Sequence, residues 1–118
     1  MPADHALKLY FELISKAMVA MKRPSHVTGH DLKRWMEEAG FVDVAVTSVK
    51  QPWGPWPRDK RLKHAGAVVL LNSEAGIPSY GMAAFTRVLG MTKDEAEALC
   101  QKASKAVRNR QYHVYNFL

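Results

Sequence analysis

The segment Gln51-Pro52-Trp53-Gly54-Pro55-Trp56-Pro57 separates a stretch with a period of two residues from a long helical stretch. Its three prolines fix the backbone and remove hydrogen-bond donors, so it cannot form the interior of a helix or of a central strand. Its two tryptophans add large apolar rings. We therefore predict a stiff aromatic loop, with regular secondary structure on both sides of it.

The residues before the loop predict two helices and a strand. Apolar residues at three- and four-residue steps indicate a first helix from about Ala6, which Arg23-Pro24 ends. Thr28-Gly29-His30-Asp31 is typical of a capped helix start, and Gly40 closes that second helix. Valines at alternate positions then predict a strand from Phe41 to about Lys50.

The residues after the loop predict three more helices and a short strand. One helix begins at Asp59 and stops near Gly76 and Pro78. Another follows from about Ser79 to Gly90. A capping box at Thr92-Lys93-Asp94-Glu95 opens the last helix, which runs to about Asn109, and the tail from Gln111 to Leu118 alternates like a strand. The fold class is α+β and mainly helical, with about five helices and one or two strands.

Length and composition limit the class of protein. A chain of 118 residues makes one domain, 1–118, and is too short for a cofactor domain plus a separate substrate domain. No apolar run reaches the ~18 residues of a membrane span, and the N-terminus lacks the pattern of a secretory signal. A single cysteine, Cys100, cannot form an internal disulfide, so we expect a cytoplasmic protein.

The net charge of +6 raises the question of nucleic-acid binding, because lysine and arginine attract phosphates. The positive residues lie mainly in 58–63 and in the last helix, where they are typical of solvated faces and of a helix end. The sequence contains no zinc-ligand set, glycine-rich clamp or interleaved aromatic motif. We therefore predict no nucleic-acid partner, and no membrane partner.

Four pieces of the sequence resemble fungal secondary-metabolism methyltransferases of the S-adenosylmethionine (SAM) dependent class I fold. These pieces are Gly40-Phe41-Val42-Asp43-Val44, the loop 52–59, Ala84-Phe85-Thr86-Arg87-Val88-Leu89-Gly90 and His113-Val114-Tyr115-Asn116. Their order and spacing match across nearly the whole chain. The resemblance implies the C-terminal half of that fold, including the helical insertion that covers the substrate.

The sequence departs from that family at the cofactor. Such enzymes hold SAM with a glycine-rich turn after the first strand and an acid at the end of the second strand. The seven glycines of this chain never stand in such a context. We therefore expect no cofactor and no methyl transfer by this chain alone, with the cofactor-binding half absent. Since the valine-rich strand lacks a neighbour, we also predict a homodimer, with an intertwined form as one arrangement.

Two functions from different classes fit these observations. The first is a SAM-independent cyclase, pericyclase or isomerase that acts on a polyketide- or terpenoid-type small molecule, because a pocket can fold a reactive substrate without a cofactor. The second is a non-catalytic partner or regulatory subunit of a methyltransferase or another larger biosynthetic enzyme. Intact helix caps and strand alternation argue against a third possibility, a nonfunctional remnant.

Four polar residues are candidates for the chemistry. His64 and His113 titrate near neutral pH and can act as acid, base or donor, although His64 also fits a surface histidine and His113 a core histidine. Tyr80 and Asn72 can orient a carbonyl, or only cap or bridge helices.

Six apolar residues are candidates for the walls of a substrate pocket, although their helical spacing is also typical of plain core. They are Trp53, Trp56, Tyr10, Phe11, Met82 and Phe85. No metal site is expected from the five histidines, because Gly29 interrupts the helix that would align His26 with His30.

Overall fold

The computed structural model describes residues 5–23 and 26–118. Within these ranges the chain forms four α-helices, one π-helical turn and two short strands. In chain order they are α1 (Ala6–Ala20), α2 (Gly29–Glu38), β1 (Lys50–Pro52), α3 (Lys60–Ala83), the π segment (Ala84–Val88), α4 (Lys93–Arg108) and β2 (Tyr115–Phe117). The predicted α+β, mainly helical class is confirmed.

Helix α1 provides one wall of the core. Its N-cap is His5, whose Nδ1 accepts a hydrogen bond from the Leu7 backbone N–H at 3.2 Å. Leu7, Tyr10 and Ala17 form its buried face, as the apolar spacing predicts. The predicted start at Ala6 is confirmed, and α1 ends at Ala20. Pro24, which was expected to end this helix, lies outside the described residues.

Helix α2 forms as its sequence predicts, but it packs against no other helix or strand of the described chain. The capping box is present, because the Asp31 N–H donates to Thr28 Oγ1 at 3.2 Å and the Thr28 N–H donates to Asp31 Oδ2 at 3.0 Å. Gly40 follows the helix with φ +100°, which glycine adopts without a steric cost. None of the residues of α2 is buried.

The predicted strand from Phe41 to Lys50 is wrong except at its last residue. Residues 41–49 form neither helix nor strand, and Asp43 has φ +54°, which breaks the alternation in the middle of the valine run. A strand also needs a hydrogen-bonded neighbour. Among the described residues, only Val49 of this stretch finds one, through two backbone bonds of 2.8 and 3.0 Å to Leu118.

The two strands form a small antiparallel sheet that attaches the C-terminal tail to the aromatic loop. Gln51 is paired with Asn116, and the Trp53 N–H donates to the Val114 carbonyl at 2.9 Å. The strand predicted within 111–118 is therefore confirmed. Pro52 is tolerated because a two-stranded sheet consists only of edges.

The predicted helix stop near Gly76 and Pro78 is wrong, because α3 continues through both residues. Pro78 removes the backbone donor that would bond to the Glu74 carbonyl and costs roughly 3 kcal/mol. The buried positions of α3 lie on both sides of that point, from Gly66 to Gly81, and α3 packs along α4. Burial of this face outweighs the local penalty, since tertiary packing supplies most of the stability of a helix.

The core lies between α1, α4 and the C-terminal end of α3. Phe85 of the π segment is fully buried, and its ring meets that of Tyr10 edge to face at 5.4 Å between centroids. Helix α4 starts at a capping box formed by Thr92 and Glu95, as predicted. An ion pair between Arg108 and Glu74 joins α4 to α3. None of the described helices combines the length and the apolar character that a membrane crossing requires.

The chain is more extended than its length requires. Its radius of gyration is 16.4 Å, whereas about 13.5 Å is typical of a compact domain of this size. Helix α2 and residues 41–49 contribute no residue to the buried core and expose large apolar side chains. We call these two pieces together the arm. Its exposed apolar residues are Leu32, Trp35, Met36, Phe41, Val42, Val46 and Val49.

Candidate functional site

A cavity of about 810 Å³ lies between α1, the aromatic loop and one face of α3 with the π segment. Its two sides differ in their mixture of large and small side chains. Helix α1 and the residue that caps its C-terminus contribute large side chains, which are Tyr10, Phe11, Ile14, Met18 and Met21. The facing side of α3 and the π segment contributes larger residues such as Val69, Ile77 and Tyr80, and several small ones, which are Ser73, Gly76, Ser79, Ala83 and Ala84. The volume is typical of a pocket for a small molecule.

The aromatic wall of the cavity is fixed by specific contacts. The rings of Phe11 and Trp53 meet edge to face at 5.6 Å, a favourable arrangement for aromatic pairs. The indole N–H of Trp53 donates to Asn116 Oδ1 at 2.8 Å. The C-terminal strand therefore sets the orientation of a wall residue that lies far from it in sequence.

Tyr10 closes the floor of the cavity. Its hydroxyl donates to the Ile77 carbonyl at 2.6 Å. Burial raises the pKa of this phenol well above its usual value, and proximity to Cys100 adds to the effect. The group therefore stays neutral at physiological pH with its proton engaged. Tyr10 is a wall and a brace, and it is not available as an acid or a base.

Polar side chains face the cavity at a few points. Asn72 and Tyr80 line it from α3, and Gln51 lines it from β1. Ser73 also lines it, but its hydroxyl donates to the Leu70 carbonyl at 2.6 Å, whereas the side chains of Asn72 and Tyr80, both residues being solvent-exposed, form no hydrogen bond with any described residue. Their amide and hydroxyl are free to bind a ligand.

Five of the ten residues proposed from sequence line this cavity together: Tyr10, Phe11, Trp53, Asn72 and Tyr80. Sequence reasoning missed Gln51 and Arg87. The signal for Arg87 was its spacing, because 80, 83, 84 and 87 share one helical face. The helix predicted from about Ser79 to Gly90 already contained that face, but nothing in its pattern showed that the face borders a cavity.

The other five lie elsewhere. Met82 lines a separate hollow beside α4, and Phe85 is fully buried in the core. Trp56 and His113 stack at 4.9 Å and line a different hollow near the end of α4. His64 is exposed near the start of α3 and is not a lining residue of the cavity.

Metal ligands are not grouped in the described part of the chain. Residues 5–23 and 26–118 contain no cluster of three or more His, Cys, Asp or Glu side chains that could hold a metal ion.

Several longer fungal proteins are similar to this chain. Methyltransferase pytC of Aspergillus terreus is 33% identical over 88 residues, which are 74% of this chain and 27% of that protein. Secondary metabolism regulator laeA of Aspergillus flavus is 26% identical over 113 residues, which are 96% of this chain and 31% of that protein. Probable methyltransferase tdiE of Emericella nidulans is 28% identical over 112 residues, 95% of this chain and 35% of that protein.

The chain thus spans about a third of the length of the curated relatives that it matches. No protein-family model matches it, and no solved structure does. The chain is similar to fungal secondary-metabolism methyltransferases, and the coverage is consistent with a C-terminal part of these longer proteins. The resemblance stated from the sequence is confirmed.

Proposed function

We propose that this chain is the small-molecule-binding domain of a methyltransferase-like protein of fungal secondary metabolism, and that the cavity beneath α1 binds the substrate. The observation that carries the proposal is the cavity of about 810 Å³ with an aromatic wall and a few unengaged polar side chains. This combination is typical of ligand sites. We expect the protein to act in the cytoplasm, since its single cysteine forms no disulfide.

The chemistry that we propose uses the side chains of the cavity alone. A flexible polyketide- or terpenoid-type chain that is folded against the aromatic wall loses much of the entropy that opposes ring closure. Tyr80 or Asn72 then donates a hydrogen bond to a carbonyl oxygen and polarises it. An enol carbon of the same substrate bonds to that carbonyl carbon, and the carbonyl π electrons move to the carbonyl oxygen. The enol hydroxyl loses its proton as it becomes a ketone, and the carbonyl oxygen gains a proton to become a hydroxyl. Substrate and product are isomers, so such a cyclase or isomerase consumes no co-reactant.

Four of the sequence-based assignments take no part in this chemistry. His64 and His113 lie outside the cavity, and Trp56 and Met82 line other hollows. The roles first considered for them therefore stay predictions without support from the cavity geometry. Phe85 supports the wall indirectly, by packing behind Tyr10.

The binding step is tested by filling the cavity. A Cβ at Gly76 meets no atom within 4 Å, so Gly76→Leu places a side chain in the cavity without a backbone clash. We expect it to weaken binding of the neutral fluorescent probe N-phenyl-1-naphthylamine at least tenfold. Ala75→Leu, one residue away on the exposed side of α3, is the matched control and should leave the affinity unchanged. Equal binding to both variants would place the probe elsewhere and refute the proposed site.

The catalytic step has its own test. Purified protein is mixed with linear polyketide- and terpenoid-type precursors, and the appearance of an isomeric ring product is followed by mass spectrometry and chromatography. We expect Tyr80→Phe and Asn72→Leu to slow ring closure while they retain probe binding. Unchanged rates in both variants, or no acceleration by the wild type, would contradict the catalytic role and leave a binding domain.

A second candidate function is favoured by the arm. Val42 is 84% exposed and Phe41 58%, and α2 has no buried residue. Such a surface marks an interaction site. In this alternative the domain is a non-catalytic subunit that pairs with a second copy of itself or with a larger biosynthetic enzyme.

Light scattering and co-purification decide this alternative. A homodimer that Trp35→Ser together with Val42→Ser converts to a monomer would establish self-association through the arm. Recovery of a 1:1 complex with a larger methyltransferase, lost in the same double variant, would establish the hetero-complex. A monomer that captures no such enzyme would remove the second candidate.

A further inference from the structure

One charged side chain faces the substrate cavity. The eighteen lining residues include Arg87 and, within the described part of the chain, no lysine, histidine, aspartate or glutamate. The remainder are apolar or carry neutral hydroxyl and amide groups. Arg87 is itself exposed to solvent, so water can satisfy it in the empty cavity, and its position on an otherwise uncharged wall leaves it able to meet an anionic group of a ligand that enters.

Arg87 is not engaged by an acid of its own protein. The ion pairs of the described residues involve Lys8, Lys33, Arg34 and Arg108, and Arg87 forms none of them. No hydrogen bond from its guanidinium to a described residue is present either. Its five donors are therefore available to a ligand.

The backbone that carries Arg87 is unusual and well fixed. It lies in the π segment, a backbone form that occurs mostly as single turns and frequently at functional sites. The Leu89 N–H bonds to the Ala84 carbonyl at 3.1 Å, and the Thr86 hydroxyl bonds to the Met82 carbonyl at 2.7 Å. Burial of the neighbouring Phe85 ring anchors the segment in the core.

We propose that the ligand of this cavity carries a carboxylate on an apolar, ring-containing body, and that Arg87 binds the carboxylate. This inference rests on the proposed function, since it names the class of substrate for the same cavity. The planar guanidinium fork matches a carboxylate with two parallel hydrogen bonds, which adds orientation as well as affinity. The apolar body then lies against Phe11 and Trp53, whose edge-to-face pair presents aromatic surface to the cavity.

A purely structural role for the cation makes a different prediction. Arg87 stands in the last turn of the π segment, where any positive charge is favoured by the helix dipole. Lysine would serve that role equally well but cannot form the bidentate fork. Arg87→Lys should therefore keep the stability of the protein and still lose affinity for the carboxylate.

The experiment compares 2-naphthoate with its neutral analogue, methyl 2-naphthoate, by titration calorimetry. We expect the wild type to prefer the acid. Arg87→Gln should weaken 2-naphthoate about tenfold or more, as is usual for a lost hydrogen-bonded charge pair, and leave the ester within twofold. Arg110→Gln, which changes an arginine beside a different hollow, is the matched control and should leave both affinities unchanged.

The outcomes separate this inference from the proposed function. Equal affinities of acid and ester for the wild type, with binding of both lost in Gly76→Leu, would overturn the role of Arg87 and keep the cavity as the binding site. Loss of 2-naphthoate binding in Arg110→Gln rather than in Arg87→Gln would also overturn it. Binding of neither probe would overturn both proposals.

Discussion

The contact of α3 with the aromatic loop depends on Gly66, and replacing this residue with alanine gives a sharp test of the fold. A Cβ at Gly66 would lie 2.0 Å from the carbonyl oxygen of Gly54 and 2.8 Å from its carbonyl carbon. These are backbone atoms, so they cannot turn aside as the end of a side chain can. The loop and the helix would have to separate.

The magnitude follows from two opposing effects. Replacing glycine by alanine inside a helix stabilises it by about 1 kcal/mol, whereas overpacking of a close contact costs about 1–3 kcal/mol. Because the 2.0 Å approach to a backbone oxygen places the overpacking cost at the upper end of that range, we expect Gly66→Ala to lower the free energy of unfolding by about 2 kcal/mol. Gly76→Ala, on the same helix, faces open space and should raise it by about 0.5–1 kcal/mol. For 118 residues, 1 kcal/mol corresponds to roughly 4 °C in Tm.

Urea titration and thermal melting, both followed by tryptophan fluorescence, measure these differences. Trp53 and Trp56 flank Gly54, so their emission reports directly on separation of the loop from α3. Gly81→Ala should give an intermediate loss, because its Cβ would approach side-chain atoms of Cys100 and Tyr10, both at 2.8 Å. If Gly66→Ala melted at or above the wild-type temperature, the close approach of α3 to the loop would be refuted.

Three further predictions concern single side chains. Tyr10→Phe loses the hydrogen bond to Ile77 and should lower the free energy of unfolding, measured by urea titration at pH 7, by about 1 kcal/mol. Burial raises the pKa of Tyr10 above its ordinary 10.0, so the stability of the wild type should fall as pH rises past that value. The variant should lack this pH-dependent loss. Hydrogen bonds from Thr28 lower the pKa of Asp31 below its ordinary 3.8, so the stabilisation of α2 by this carboxylate is present above pH 3.8 and lost as pH falls through the folded pKa. Amide hydrogen exchange in α2 should accelerate over that acidic range. Asp31→Asn should show the faster exchange already at neutral pH. Burial, reinforced by Glu97, raises the pKa of Cys100, so maleimide should label the native thiol slowly and the unfolded thiol fast; equal rates would contradict its burial.

The parts of the fold that follow from local chemistry could be read from the sequence. The capping boxes at Thr28 and Thr92 and the glycine after α2 act within a few residues, so their signals are local. The course of residues 41–49 was not predictable in this way, because a valine run becomes a strand only beside a neighbour. The passage of α3 through Pro78 depends on burial against other helices, which a local rule for helix ends does not contain.

The candidate site was predictable to a similar degree. Tyr10, Phe11 and Trp53 were expected as walls because of their type and spacing, and the structure places them around one cavity. Arg87 and Gln51 were not expected. Their role depends on which face of a helix borders the cavity and on which end of a short strand does so. That information lies in the packing of α3 against its neighbours, which the sequence pattern does not give.

The isolation of α2 from the core has a consequence for how the domain meets other molecules. Ten residues are fewer than a lone helix needs to persist in water, and α2 is held mainly by its own end caps, by surface ion pairs and by Val46 beside Gly29. Its helical content should therefore be only partial in the free protein and become complete when a surface covers its apolar side. Recognition through the arm would then be coupled to ordering, which lowers affinity for a given contact area while it lets one short segment fit more than one surface.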